Sequence, residues 1–133
     1  MFIALNIAAV FALLAGCLHG YIFILESWHW TEPQTRAVFS ISSEQEAENT
    51  KEMAFNQGFY NMFLGIMAMA GAIVFWCGAH TVGVTLMTAG TASMFGAATV
   101  LFAGSPDKRS AAIKQGALPL VALVALAVAW ALA

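Results

Sequence analysis

The sequence predicts an all-α fold, a four-helix transmembrane bundle that forms a single integral membrane domain over residues 1–133. Composition is the first reason: the 133 residues are 61% hydrophobic and only 9% charged, and the mean hydropathy is +0.80. Soluble domains normally contain about 25% charged residues, so a water-soluble protein is excluded. The second reason is that the apolar residues are grouped into four long segments with polar residues between them.

These apolar segments cover about residues 2–25, 53–76, 81–103 and 111–133. Each reaches the ~20 residues that a helix needs to cross ~30 Å of hydrocarbon. Helices satisfy their backbone hydrogen bonds within the segment, which an open strand in lipid cannot do. We therefore expect four spanning helices, a long loop over residues 27–52 and a tight turn near residues 78–80.

Charge indicates the surroundings and the orientation. The net charge is -2 and no basic stripe is present, which excludes a nucleic-acid partner and leaves membrane lipid as the expected one. All the basic residues lie in or beside the first and third loops: Arg36, Lys51, Lys108, Arg109 and Lys114. The positive-inside rule then places both loops in the cytoplasm and both termini outside.

The first helix contains two polar residues on one face, His19 and Glu26. Their spacing is nearly two helical turns and separates them by about 10 Å along the axis. We expect no direct bond between them, but one ligand could touch both. The alternative is that Glu26 is hydrated at the interface and His19 bonds to a neighbouring helix, since polar groups inside a membrane need partners.

The second helix opens with a dense group of polar side chains. At 100° per residue, Glu52, Asn56 and Tyr60 form one stripe, and Gln57 and Asn61 form the next. Together the stripes span about half of the helix circumference, which favours the wall of a polar cavity. The alternative is hydrogen bonding between helices, which contributes about 0.6 kcal/mol for each side chain.

The polar residues of different helices are expected to meet at one end of the bundle. Gln115 lies near the start of the fourth helix, at the same side of the membrane as the first two groups. We expect one shared cavity in the cytoplasmic half, lined by His19, Glu26, Asn56, Gln57, Tyr60 and Gln115. In the first loop, Phe39 and Ile41 are candidates for a lid over this cavity.

The third helix has small residues four apart at Thr88, Ala92 and Gly96. Small residues at this spacing let helix backbones approach closely. We interpret this stripe as a packing surface, through which a homo-oligomer could form.

Several motifs together resemble a known bacterial family of small integral membrane proteins. The motifs are His19-x-Tyr-Ile-Phe-x-x-Glu26, Phe39, Asn56-Gln57-Gly58-x-Tyr60-Asn61 and Gln115-Gly116-x-x-Pro119, with Trp30 or Trp28 matching the family's tryptophan. The family is catalogued as domain of unknown function 1304. The resemblance implies a four-helix protein of the bacterial inner (plasma) membrane, and it implies no agreed activity.

Three functions fit the polar cluster. The first is a binding protein or carrier that holds a small ligand or lipid headgroup, with a binding set of His19, Glu26, Asn56, Gln57, Tyr60, Asn61 and Gln115. The second is an intramembrane lipid isomerase or hydrolase, in which His19 and either Glu26 or Glu52 transfer a proton. The third is an accessory subunit of a larger membrane complex. No metal site is predicted, and the cofactor is left open.

Overall fold

The computed structural model describes all 133 residues and contains five α-helices with no strands. Their bounds are α1 Phe2–Trp28, α2 Pro33–Phe39, α3 Glu44–Trp76, α4 His80–Gly104 and α5 Arg109–Ala131. A short 3-10 turn, Pro106–Lys108, joins α4 to α5.

Four of the helices, α1, α3, α4 and the segment that ends with α5, are long and apolar enough to cross a membrane. They pack as an antiparallel bundle in which α1 and α4 each contact both α3 and α5, while α1 and α4 lie diagonally opposite. The predicted fold class is therefore confirmed, and the chain is consistent with a multi-pass membrane protein. The α1–α3 and α4–α5 connections lie at one end of the bundle, which we call the loop end.

Glycines allow the helices to pack closely against one another. A Cβ built on Gly16 of α1 would lie 2.8 Å from the carbonyl oxygen of Gly65 in α3, and one built on Gly65 would lie 2.9 Å from the carbonyl oxygen of Gly16. A Cβ on Gly83 of α4 would lie 2.5 Å from the backbone nitrogen of Phe75. Such contacts need the absence of a side chain, so the glycines fix the spacing and rotation of these helices.

Replacing Gly16 by alanine is expected to destabilise the bundle by about 1–3 kcal/mol, because the added methyl group forces α1 and α3 apart. Gly20, one turn later on the same helix, has no atom within 4 Å of a built Cβ. Gly20→Ala should therefore cost nothing and serves as the matched control. Thermal unfolding of both variants in detergent measures the difference; equal melting temperatures would contradict the tight α1–α3 packing.

Helix α3 begins nine residues earlier than the apolar segment that predicted it, at Glu44 instead of residue 53. The Oγ of Ser43 accepts a hydrogen bond from the backbone N–H of Glu46 at 3.1 Å, and a Glu46 carboxylate oxygen accepts one from the N–H of Ser42 at 2.9 Å. These bonds satisfy free backbone donors at the start of a helix. The polar first turns of α3 thus extend beyond the apolar span at the loop end.

The region predicted as a loop over residues 27–52 also contains α2, which begins with Pro33 at its first turn. A proline is favoured there because its missing N–H would have no partner in the helix. Ser40 ends α2 in the left-handed conformation, with φ 54°, and the chain then turns so that Ile41 is buried. Residues 27–52 are therefore mostly helical and folded against α3.

The opposite end has a tight turn between α3 and α4, where Gly78 has φ 96°. The predicted packing stripe of Thr88, Ala92 and Gly96 faces outward from the bundle, and all three residues are exposed. The intramolecular packing of α4 instead uses the next face, with Met87, Gly90, Thr91 and Met94 buried. A homo-oligomeric contact through the exposed stripe stays a prediction.

Candidate functional site

A cavity of about 330 Å³ opens inside the loop end of the bundle, and every helix contributes to it or to its cover. This volume lies within the range of small-molecule sites, about 300–1,000 Å³. Its polar lining residues are His19, Glu26, Glu46, Thr50, Gln57, Asn61, Lys108 and Gln115. Its larger apolar lining residues are Trp30, Phe39, Ile41, Met53, Met94 and Leu101.

Glu26 and Asn61 join α1 to α3 inside the cavity. The side-chain amide of Asn61 donates a hydrogen bond to Glu26 Oε2 at 2.7 Å. Glu26 is 8% exposed and Asn61 9%, so both side chains are buried. No lysine or arginine lies within ion-pair distance of Glu26, since the ion pairs of the chain are His29–Glu32 and Glu48–Lys51. Glu26 is thus a buried carboxyl group that only an amide contacts.

His19 lies deeper, with 2% of its surface exposed. Its Nδ1 lies 2.9 Å from the carbonyl oxygen of Ala15, one turn earlier in α1. A carbonyl oxygen only accepts hydrogen bonds, so Nδ1 must carry a proton and donate it. Neutral His19 then presents Nε2 as a hydrogen-bond acceptor.

These buried residues keep polar atoms that the protein does not bond. Glu26 Oε1, His19 Nε2 and Asn61 Oδ1 have no hydrogen-bond partner within the chain. The only side-chain nitrogen or oxygen that is sealed in the protein without a partner is Arg36 Nε. The three free atoms are therefore not sealed in the protein, and the residues that carry them line the cavity.

One face of α3 forms the long wall. Glu46, Thr50, Ala54, Gln57 and Asn61 line the cavity at spacings of three or four residues, which places them on a single stripe of the helix. Because each residue rises about 1.5 Å, Glu46 lies about 22 Å from Asn61 along the α3 axis. Lys108, from the turn before α5, lies close enough to Glu46 to attract it electrostatically. The cavity therefore has a charged mouth and a buried floor at Glu26, Asn61 and His19.

Trp30, Phe39 and Ile41 line the cavity, and Phe39 and Ile41 are the residues that the sequence suggested as a lid. The indole N–H of Trp30 donates a hydrogen bond to Thr50 Oγ1 at 3.0 Å, and the rings of Trp30 and Phe39 lie 5.2 Å apart. The Thr50 hydroxyl in turn donates to the carbonyl oxygen of Glu46 at 2.8 Å. We call Trp30, Phe39 and Ile41 the lid, because these aromatic and aliphatic side chains line the cavity and lie against α3.

Only some of the residues that the sequence predicted to share one cavity line it. His19, Glu26, Gln57, Asn61 and Gln115 line it. Glu52, Asn56 and Tyr60 are exposed on another face of α3 and do not line it. The expected wall of half a circumference is therefore too wide. A built Cβ on Gly58 would lie 3.2 Å from the carbonyl oxygen of Phe23, so this contact sets the rotation of α3.

A family model described as "Protein of unknown function (DUF1304)" matches residues 13–127. The chain belongs to this family. No curated protein and no solved structure matches the chain. The match includes every cavity-lining residue of this DUF1304 protein, from His19 to Gln115.

The site of this DUF1304 protein includes three polar residues that sequence reasoning did not select: Glu46, Thr50 and Lys108. The sequence contains a signal for Glu46 and Thr50, because they continue the stripe of Gln57 and Asn61 toward the N-terminus at helical spacing. This signal is missed when α3 is expected to begin at residue 53, because Glu46 and Thr50 then lie outside the helix. Lys108 carries no comparable signal, as it comes from a turn between other helices.

Two further features help to define the site. No group of three or more His, Cys, Asp and Glu side chains lies close enough together to hold a metal ion.

A larger groove of about 640 Å³ lies at the opposite end between α1, α4 and α5, and its lining is mainly apolar, with Leu5, Val84 and Leu126 among its residues. Such a groove suits lipid chains. The polar cavity is the place in this fold where buried hydrogen-bonding atoms converge.

Proposed function

We propose that the protein binds a small polar ligand or a lipid headgroup in the cavity at the loop end of the bundle. The observation that carries the proposal is the set of unbonded atoms on buried residues: Glu26 Oε1, His19 Nε2 and Asn61 Oδ1. Polar atoms taken out of water are costly unless they are hydrogen-bonded, so a structure that exposes three of them to one cavity is suited to a bound partner.

Filling the cavity tests this proposal. Ala111 of α5 lines the cavity, and a leucine there would occupy space that a ligand needs. Since an extra methylene in a fitted pocket changes binding by 10-fold or more, Ala111→Leu is expected to lower the bound fraction by about tenfold. Native mass spectrometry of protein extracted gently from its own membrane measures the mass retained.

Ala117→Leu is the matched control, because Ala117 lies on the same helix, is exposed and lines none of the described cavities. It should retain the same bound mass as the unaltered protein. Unchanged retention in Ala111→Leu, at an unchanged melting temperature, would show that the bound mass lies elsewhere. Absence of any bound mass in the unaltered protein would overturn the proposal.

We further propose that the protein lies in the bacterial inner membrane with the cavity mouth toward the cytoplasm. The support is the placement of every lysine and arginine at the loop end, together with the positive-inside rule. Both termini and the turn at Gly78 lie at the other end.

Labelling of single introduced cysteines tests this orientation, in a background without Cys17 and Cys77. Cysteines at Glu44 and Asp107 should react with a membrane-impermeant reagent only after the cytoplasmic side is made accessible. A cysteine at Gly78 should react from outside in intact cells. The reversed pattern would place the cavity mouth outside.

An intramembrane enzyme is the second candidate, favoured by the tautomer of His19. With Nδ1–H donated to Ala15, Nε2 is free to accept a proton from a bound substrate, and Glu26 is the second proton-transfer group in the same cavity. Of the two carboxyl groups that the sequence suggested for this role, Glu26 lines the cavity and Glu52 does not. Incubating purified protein with membrane lipid extract should yield a product that His19→Phe protein does not form; identical extracts would dismiss catalysis.

A further inference from the structure

We infer that the ligand presents a primary ammonium group to the cavity floor, either as a free amine or as the headgroup of an aminophospholipid. This inference rests on the proposed function and specifies the chemistry of the same site. It follows from the hydrogen-bonding character of the floor, from the charge of Glu26 and from the character of the lid.

The free atoms of the floor all accept hydrogen bonds. Glu26 Oε1 is a carboxyl oxygen and Asn61 Oδ1 an amide oxygen, whose own NH₂ already donates to Glu26. His19 Nε2 accepts because Nδ1 carries the ring proton. A ligand group that contacts both Glu26 and Asn61 must offer several donors at once, whereas His19, about 10 Å from Glu26 along α1, accepts from another part of the ligand. An ammonium offers three N–H donors, whereas a phosphate or carboxylate group offers only acceptors.

Charge selects an ammonium group over a neutral hydroxyl group. Only 8% of the surface of Glu26 is exposed, and no basic side chain lies within ion-pair distance of it. Burying an ionised carboxylate is costly unless a positive group pairs with it, and a bound ammonium group would supply that partner for Glu26. Lys108 lines the same cavity, but it attracts Glu46 and forms no ion pair with Glu26, so it does not supply the missing charge.

The upper cavity fits the remainder of such a ligand. Trp30 and Phe39 of the lid line the same cavity, and their rings offer apolar surface to the carbon chain of such a ligand. A quaternary ammonium ion fits less well, because it has no N–H to give to the floor acceptors.

The experiment compares three soluble probes of similar size and two lipids. Ethanolamine, choline and ethylene glycol are titrated into delipidated protein in detergent, with the rise in melting temperature as the readout. Choline has methyl groups in place of the three N–H donors, and ethylene glycol has a hydroxyl in place of the charge. In the second arm, the protein is placed in bilayer discs of phosphatidylcholine with or without phosphatidylethanolamine, and retained lipid is identified by native mass spectrometry.

Ethanolamine is expected to stabilise the protein at concentrations at least about tenfold below choline or ethylene glycol, since charged hydrogen bonds are the strong ones. Glu26→Gln, which keeps the shape and a hydrogen-bonding group, should weaken this response by at least about tenfold. Selective retention of phosphatidylethanolamine without a response to ethanolamine would assign the ammonium group to a lipid. A response to ethanolamine alone would assign it to a free amine.

Equal responses to choline and ethanolamine, or an undiminished response in Glu26→Gln protein that melts normally, would overturn the inference. Stabilisation by inorganic phosphate but by neither amine nor phosphatidylethanolamine would also overturn it, while a ligand-binding cavity would stand. If no soluble probe stabilises the protein and no phosphatidylethanolamine is retained, the ammonium group is rejected. The retention of native ligand by Ala111→Leu and Ala117→Leu protein then decides the broader proposal separately.

Discussion

His19→Phe is expected to lose at least about nine-tenths of the native bound ligand while the bundle stays folded. The phenyl ring fills the buried space of the imidazole, so little packing is lost, but it has no Nε2 to accept a hydrogen bond from the ligand. Leaving a buried ligand donor unpaired costs about 1–3 kcal/mol, and about 1.4 kcal/mol already lowers the affinity tenfold. Native mass spectrometry and thermal unfolding of the same sample measure both effects.

His80→Phe is the control for this prediction, because His80 is an exposed histidine at the opposite end of the bundle. It should keep both the bound ligand and the melting temperature. If His19→Phe protein instead retains the ligand but unfolds at a much lower temperature, His19 serves the fold through its bond to Ala15 and not the ligand.

Trp30→Ala is expected to release the bound ligand about 10- to 100-fold more readily, because tryptophans at binding sites are among the side chains with the largest effect on binding. The change removes the bond to Thr50 Oγ1 and the contact with the Phe39 ring, so the lid loses its attachment to α3. Dissociation rates of bound ligand after transfer into ligand-free detergent provide the measurement.

Two comparisons separate lid opening from general damage. Thr50→Val removes the hydroxyl that accepts the Trp30 bond and donates to the Glu46 carbonyl oxygen, but it keeps the Trp30 and Phe39 rings, and it should give a smaller effect of the same sign. Trp28→Ala changes the neighbouring tryptophan, which is 64% exposed and does not line the cavity, and should leave the release rate unchanged. A faster release in Trp28→Ala than in Trp30→Ala would contradict the assignment of the lid.

Most of the fold could be predicted from the sequence, because the length of an apolar segment determines whether it spans a membrane. What could not be predicted was where the helices end. The apolar segment that begins near residue 53 marks the hydrocarbon boundary, whereas α3 begins where Ser43 caps it. Hydropathy reports burial in lipid and does not detect a polar helix that continues into the aqueous phase.

The candidate site could be predicted as a group of residues but not as a surface. Sequence spacing shows that Asn56 and Gln57 lie on adjacent faces of α3, but it cannot show which face turns toward the other helices. That rotation is set by the Gly58 and Gly65 contacts with α1. Gln57 therefore lines the cavity and Asn56 does not. Lys108 joins the site only through the packing of the α4–α5 turn against the first turns of α3.

An experimental structure of the protein in bilayer discs made from its native lipids tests the central claim most directly. The account predicts density for an organic molecule in the cavity, in the space between His19, Gln57 and Gln115, with atoms about 2.7–3.2 Å from His19 Nε2 and Glu26 Oε1. A collapsed cavity in which these two atoms bond to other parts of the chain, or a His19 side chain turned toward lipid, would contradict it.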